Sequence, residues 1–215
     1  MNVLILIFII LLSLQIVLAL FAWGLRRELE KKYSFATGEG KEPAEVIEEY
    51  YKDGNTKFRI IASDEIVEPA FAESDLLIIN KNKIYKKDLY TNFYIIFQAE
   101  LTKSDYKILR ILGNFQSFVF ILEIAVFVLA NTITTNFKEI ILYVAIAIQI
   151  FSFILTLIGF IQIDGLLDDT MTISKSLLKL DDVEEARALG LKSDLRYSVF
   201  EYPFEVVWRI VQFLR

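Results

Sequence analysis

The sequence predicts a mainly helical membrane protein that carries a small α+β insert between its first two membrane spans. Three observations lead there. The chain is 55% hydrophobic over 215 residues, too apolar for an ordinary soluble domain of that length. Its apolar residues gather in three runs, each near the length of a bilayer crossing. The charged residues lie almost entirely between and after those runs.

Composition narrows the chemistry before any motif is read. Net charge is -5 and the basic residues form no stripe interleaved with aromatics, so nucleic acid is not an expected partner. With no cysteine, disulfides, thiolate metal sites and cysteine nucleophiles are excluded. There is also no histidine, which removes the usual general base at neutral pH and the commonest metal ligand. Carboxylates, lysine, serine, threonine and tyrosine are what remain.

Taken in order, the first element is the run from Val3 to Trp23, interrupted by Gln15. It predicts a retained anchor over residues 1–23 rather than a cleaved signal: no positive stretch precedes it, it is long, and Arg26 and Arg27 follow directly. Residues 24–112 form the insert. Within it, 41–53 predicts a helix, with Pro43 in the first turn, Glu42 and Glu45 at the positive end, and Asp53-Gly54 as the stop. The β-branched stretches 57–63 and 75–80 predict strands, joined irregularly by 68–74, and 80–87 a polar turn. From Asp88 a helical pattern begins, with Leu89, Phe93, Ile96, Phe97 and Leu101 at three- and four-residue spacing. It has room to run on past Ile108 and Leu112 into the second span.

Residues 113–163 predict a helical hairpin of two spans, Gly113–Ala130 with Glu123 inside and Glu139–Ile163 with Gln149 inside. The tail, 164–215, predicts a helix around 166–179 and an acidic one at 181–189 that Gly190 ends. The last apolar stretch, 197–214, is long enough for a fourth span if tilted. Glu201, Glu205 and Arg209 on one face and the kink at Pro203 fit a surface-lying helix equally well.

Sidedness follows from lysine and arginine. Fifteen lie between the first and second spans, one in the hairpin loop and seven after the third span. Positive residues stay cytoplasmic. The expected arrangement is multi-pass in the cell membrane, with the N-terminus outside and residues 24–112 cytoplasmic.

Several stretches, in order, resemble one family. "EPAEVIEEYYKDGN" is similar to an early "TGAEVA" helix, and "AESDLLIINKNKIY" to a "YDP" turn leading into a strand. "LRILGNFQSFVFIL" resembles "LRSALVPVANFGS" at the start of a span, and "GFIQIDGLLDD" resembles "LPVEFDASRRAL" after the hairpin. The acidic helix and last segment look like a tail containing "ARKVLRAAALTYVA". The family is that of the YugP-type neutral zinc metallopeptidases, small bacterial inner-membrane proteins, and the resemblance covers nearly the whole chain. It implies that the insert is zincin-like.

The resemblance also implies a zinc site, and the ligands are missing. The family carries HExxH on a helix before the second span, where two histidines four apart bind zinc and the glutamate polarises water. Here that helix reads "FYIIFQAELTKSDYKI". One register puts Leu101 and Asp105 at the histidine positions and Thr102 at the glutamate. The other keeps Glu100 as the glutamate and puts Ala99 and Lys103 at the ligands. The expected third ligand, the glutamate of "EFDAS", falls on Gln162, with Asp164 after it. No zinc or other cofactor is therefore expected. Glu100 and Asp105 stand as catalytic candidates, against the reading that they are solvated helix residues pairing with Lys103 or Lys107 at helical spacing, and Asp164 as a metal candidate, against the reading that it marks the end of a span with Asp168 and Asp169.

Gln15, Glu123 and Gln149 form the other candidate group. Each interrupts an apolar run near mid-depth, and at 1.5 Å per residue all three fit within roughly one helical turn of depth. An ionised carboxylate inside a bilayer is costly, so Glu123 is expected to be protonated, paired or facing a cavity. The expected function is a non-catalytic homologue that sits in the lipid bilayer and binds a membrane protein or peptide. Two other readings stay open: a metallohydrolase with a carboxylate site for magnesium, calcium or manganese, and a small transport component using Glu123.

Overall fold

The structure, a computed structural model, describes residues 3–37, 39–52, 59–64, 66, 68–73, 76–132 and 137–204. Among them, three helices are long and apolar enough to cross a membrane: α1 (Val3–Tyr33), α4 (Lys107–Thr132) and α5 (Lys138–Leu178). The predicted Asp53-Gly54 stop, the loop residues 133–136 and residues 205–214, with Glu205 and Arg209, lie outside the described residues. Contacts divide the chain into two compact units. One comprises Met1–Gly24, Arg110–Ile161 and Tyr197–Arg215, as far as they are described, and the other Leu25–Leu109 and Gln162–Arg196.

The first unit is held by aromatic and aliphatic contacts between its helices. Phe8 of α1 stacks on Phe127 of α4 with ring centres 4.0 Å apart. Leu112 and Val119 of α4 pack with Leu155 of α5, and Ile148 lies against them. After α5 and its successor, a 3₁₀ segment (Arg196–Phe204) containing Pro203 returns to this unit. Proline cannot donate to a helical ladder, which suits a short irregular segment. Ser117 Oγ donates to the Tyr202 carbonyl at 2.6 Å, and Phe120 packs on Phe204.

The second unit is built around α3 (Leu89–Leu101). Asp88 caps its start by accepting from the Thr91 amide at 2.7 Å, which satisfies one of the amides a helix start leaves bare. Every residue from Leu89 to Glu100 is buried, so α3 is a core helix covered on all sides. Its neighbours are α2 (Pro43–Lys52), which turns Val46, Ile47 and Tyr50 inward, and a three-stranded sheet. The strands are β1 (Arg59–Ser63), β2 (Ala70–Glu73) and β3 (Leu76–Asn80), in the order β1-β3-β2. The central strand β3 pairs parallel with β1 and antiparallel with β2. Leu77 and Ile79 of β3 are buried, whereas the side chains of β1 from Arg59 to Ala62 are exposed.

Four local expectations are corrected. Residues 68–74 do not merely join two strands: Ala70–Glu73 is itself a strand. The Ala72 amide, on β2, is taken by the Gln98 Oε1 of α3 at 3.0 Å, so a tertiary contact fixes a segment whose own propensity is weak. The helix from Asp88 does not run into the second apolar run. It stops at Leu101, and a 3₁₀ turn (Ser104–Tyr106) precedes α4. The 166–179 helix is not separate: α5 continues unbroken from Lys138 to Leu178, because charged residues after an apolar run do not interrupt backbone hydrogen bonding. The acidic helix α6 (Asp182–Leu195) runs through Gly190 rather than ending there.

The turn from α5 to α6 has an identifiable cause. Lys179 adopts φ 48°, the left-handed conformation that ends helices. Asp181 then caps α6 through the Val183 and Glu184 amides, and Glu184 reaches back to the Asp181 amide. Ion pairs run along the fold-back: Asp164 with Arg196, Asp168 with Lys192 and Lys175 with Glu185.

Gly190 is explained by clearance. A Cβ there would lie 2.9 Å from the Tyr33 hydroxyl, which is itself fixed by a 2.8 Å bond to Asp194. Gly190→Ala would gain about 1 kcal/mol of helix propensity and lose roughly 1–3 kcal/mol to overpacking. We expect a net loss of about 1 kcal/mol, read as a lower thermal midpoint in detergent. Tyr33→Phe should cost less in the Gly190→Ala background than in the natural chain, since the clashing oxygen leaves with it.

Candidate functional site

Glu100 is the most deeply placed of the candidate residues in the second unit. It sits in the last turn of α3 and is fully buried. Tyr50, on the inward face of α2, donates its hydroxyl to Glu100 Oε1 at 2.7 Å. Lys103, just past the end of α3, places Nζ 2.8 Å from the same oxygen and 5.7 Å from the centre of the Tyr50 ring. Glu100 Oε2 has no hydrogen-bond partner. Burial first, then the bond to Glu100, pushes the Tyr50 phenol well above its ordinary value, so it stays a donor. The result is a carboxylate matched by one ammonium and one phenol.

The local sequence accounts for this geometry. Helix α3 ends at Leu101, and the Thr102 hydroxyl bonds back to the Ala99 carbonyl at 2.6 Å. The following turn brings Lys103 back over the last helical turn, three residues from Glu100, a spacing at which side chains meet. The Lys103 side chain is one-quarter exposed, so its stem can lie inside while its charge stays near water.

The remaining candidates do not join Glu100. Asp105 is exposed in the 3₁₀ turn. Asp164 pairs with Arg196 and Asp168 with Lys192. Asp169 accepts from the Tyr106 hydroxyl at 2.5 Å; burial and that bond push the Tyr106 phenol up. Among the described residues no group of three or more aspartates and glutamates gathers as a ligand set for a metal ion. Of the residues that stand where the resemblance implies zinc ligands, Asp105 has a carboxylate and the others do not fit zinc. Ala99 has no donor atom, and Lys103 presents an ammonium already paired with Glu100. Leu101 has no donor in the other register, and Gln162 is a neutral amide.

In the first unit, Gln149 Nε2 donates to Glu123 Oε1 at 2.8 Å. Gln149 Nε2 also lies 3.4 Å from the Phe8 carbonyl of α1. Three further polar residues, absent from the sequence reading, extend the group. Gln15 Nε2 donates to Ser152 Oγ at 3.3 Å, Thr156 Oγ1 to the Ser152 carbonyl at 3.0 Å, and Gln116 Nε2 to Thr156 Oγ1 at 2.8 Å. A signal for them exists: Gln149, Ser152 and Thr156 follow at three- and four-residue steps, and Gln116 precedes Glu123 by seven, so each set shares one helix face.

No protein-family model matches the chain, and no curated protein and no solved structure matches it.

The Glu100 arrangement makes a graded prediction. Removing one partner from a buried ion pair costs about 3–5 kcal/mol. Lys103 is partly exposed, so Lys103→Met should cost about 2 kcal/mol. Tyr50→Phe should cost about 1.5 kcal/mol, the low end for a bond to a charged group. Adding Glu100→Gln to Lys103→Met should recover part of the loss. Thermal midpoints in detergent for the three variants check the order.

Proposed function

We propose that the protein is a multi-pass membrane protein of YugP-type zinc-peptidase descent that has exchanged its metal site for an ion pair. In this reading it acts without catalysis, holding an extended segment of a protein or peptide partner. One observation carries the reading: Glu100, which takes the place of the family's catalytic glutamate in one of the two registers the resemblance allows, is buried under its own Lys103 and Tyr50. A glutamate that polarises a metal-bound water needs a metal beside it. Here the neighbouring cation is a covalently tethered ammonium.

The sheet supplies the binding element. Among the described residues β1 pairs on one side only, with β3, and its Ile60 and Ile61 are 45% and 51% exposed. An edge strand bearing exposed isoleucines accepts an added strand through backbone hydrogen bonds, which need no metal. Residues 24–112 then face the cytoplasm and the hairpin turn faces outside, following the lysine and arginine distribution.

Three measurements test this. After exposure to zinc, manganese, calcium and magnesium, the detergent-purified chain should retain no metal above background by elemental mass spectrometry; near-stoichiometric retention would overturn the pseudoenzyme reading. Because the chain has no cysteine, single introduced cysteines report sidedness cleanly. In intact cells an impermeant maleimide should label Phe137→Cys and should label Tyr85→Cys only after the membrane is opened. Both native side chains are exposed, at 64% and 77%. The reverse pattern would invert the topology. Fluorescence binding of extended apolar peptides should be lost in Ile60→Asp/Ile61→Asp with the thermal midpoint unchanged.

A further inference from the structure

The Glu123 group is not used by the reading above, and its hydrogen bonds do not close. Glu123, Gln149 and Gln116 are fully buried and Gln15 nearly so. Their amide nitrogens all find acceptors. Their oxygens do not: Glu123 Oε2, Gln15 Oε1, Gln149 Oε1 and Gln116 Oε1 are all without a donor. Buried polar atoms are nearly always satisfied, so four bare acceptors in one group mark a shortage of donors. Reassigning amide oxygens and nitrogens can relieve Gln15, whose partner Ser152 has a hydroxyl able to donate, but not Glu123 or Gln149. Turning Gln149 over would set its oxygen against Glu123 Oε1 and the Phe8 carbonyl, and a carboxylate has no donor to offer.

Among the described side chains no counter-charge bonds to Glu123. Helix α5 brings the Gln149 amide to the carboxyl, and α1 brings the Phe8 carbonyl to that same amide. The other described ionisable side chains of this unit are Lys138, Glu139, Tyr143, Tyr197, Glu201 and Tyr202, and none of them bonds to Glu123. Lys138 and Glu139 precede Gln149 by eleven and ten residues, about 15 Å along α5 at 1.5 Å per residue. A cavity of about 10 Å³ touches Gln15 and Thr156, room for at most one water.

We propose that Glu123 is a proton-binding site: one proton taken from water forms an O–H bond at Oε2, neutralises the carboxylate and is shared with a glutamine oxygen of α1 or α5. A single proton removes two of the bare acceptors, because the new O–H supplies the missing donor. It also removes the one formal charge buried in a group otherwise made of amides and hydroxyls. The site takes a proton rather than a metal cation because the Gln149 amide N–H, not a further oxygen, faces Oε1.

Infrared spectroscopy of the full chain in lipid at neutral pH tests this directly. The natural protein minus Glu123→Gln should show the carbonyl band of an un-ionised carboxylic acid, shifted in D₂O. A carboxylate pair of bands in its place would overturn the proposal. Glu123→Gln has the shape and charge of the protonated acid, so its thermal midpoint should match the natural chain's. A clear fall would mean that the ionised form is the native one. Neither readout depends on metal retention or peptide binding.

Discussion

A polar oxygen taken out of water must be met by a donor, and the described core of each unit is arranged around that requirement. In the second unit the oxygen belongs to Glu100. Meeting it takes Tyr50 from α2 and Lys103 from the turn after α3, so one carboxylate fixes the approach of two segments to the core helix. Helix α3 repeats the device twice more. Asn92 Nδ2 donates to the Lys41 carbonyl at 2.9 Å, just ahead of α2, and Gln98 accepts from Ala72 of β2. Three polar side chains on a helix with no exposed face thus set where its neighbours begin. Apolar packing alone supplies adhesion there but not register, since dispersion contacts are non-directional.

The visible ion pairs are a weaker influence. Asp168 and Lys175 keep 67% and 55% of their side-chain surface exposed, and such pairs contribute about 0–1 kcal/mol. The α5–α6 fold-back rests instead on its turn and its apolar seam. Leu177, Leu178, Ala188, Leu191 and Leu195 are buried, at about 1.5–3 kcal/mol for each large side chain. The left-handed Lys179 and the Asp181 capping box set the angle at which the seam closes. The charges along the outside select one alignment among several that the leucines would tolerate.

What could be read from the chain follows the range of the forces involved. The three long apolar helices were legible because burial in lipid needs a continuous run, and nothing shorter suffices. Helix α2 was legible from local signals, a proline in the first turn and an acidic first turn. Strand β2 was not, because Ala70–Glu73 has little strand propensity and is held by Gln98, a residue 26 positions away. Gly190 misled because glycine has two uses, freedom of backbone and absence of a side chain, and only the Tyr33 hydroxyl reveals which applies. Of the candidate residues, Gln15, Glu123 and Gln149 stand out because each breaks an apolar run. Ser152 and Thr156 escaped notice because a hydroxyl in such a run can bond its own helix, as Thr156 does. The three-residue spacing of Glu100 and Lys103 permits their pairing, but burial beneath Tyr50 depends on packing that no local pattern encodes.

The fold-back restricts how this chain can change length. From Asp164 to Asp168 is four residues and the matching step from Arg196 to Lys192 is also four; from Asp168 to Lys175 is seven, matched by seven from Lys192 to Glu185. One residue added to α5 alone would rotate everything beyond it by about 100° and swing the leucine seam off its partner. Growth or shrinkage can therefore enter only as paired blocks of about seven residues, two turns in each arm at once. Lineages carrying this fold-back should differ in discrete, mirrored steps about the Lys179 corner, with single-residue insertions confined to the stretches outside it.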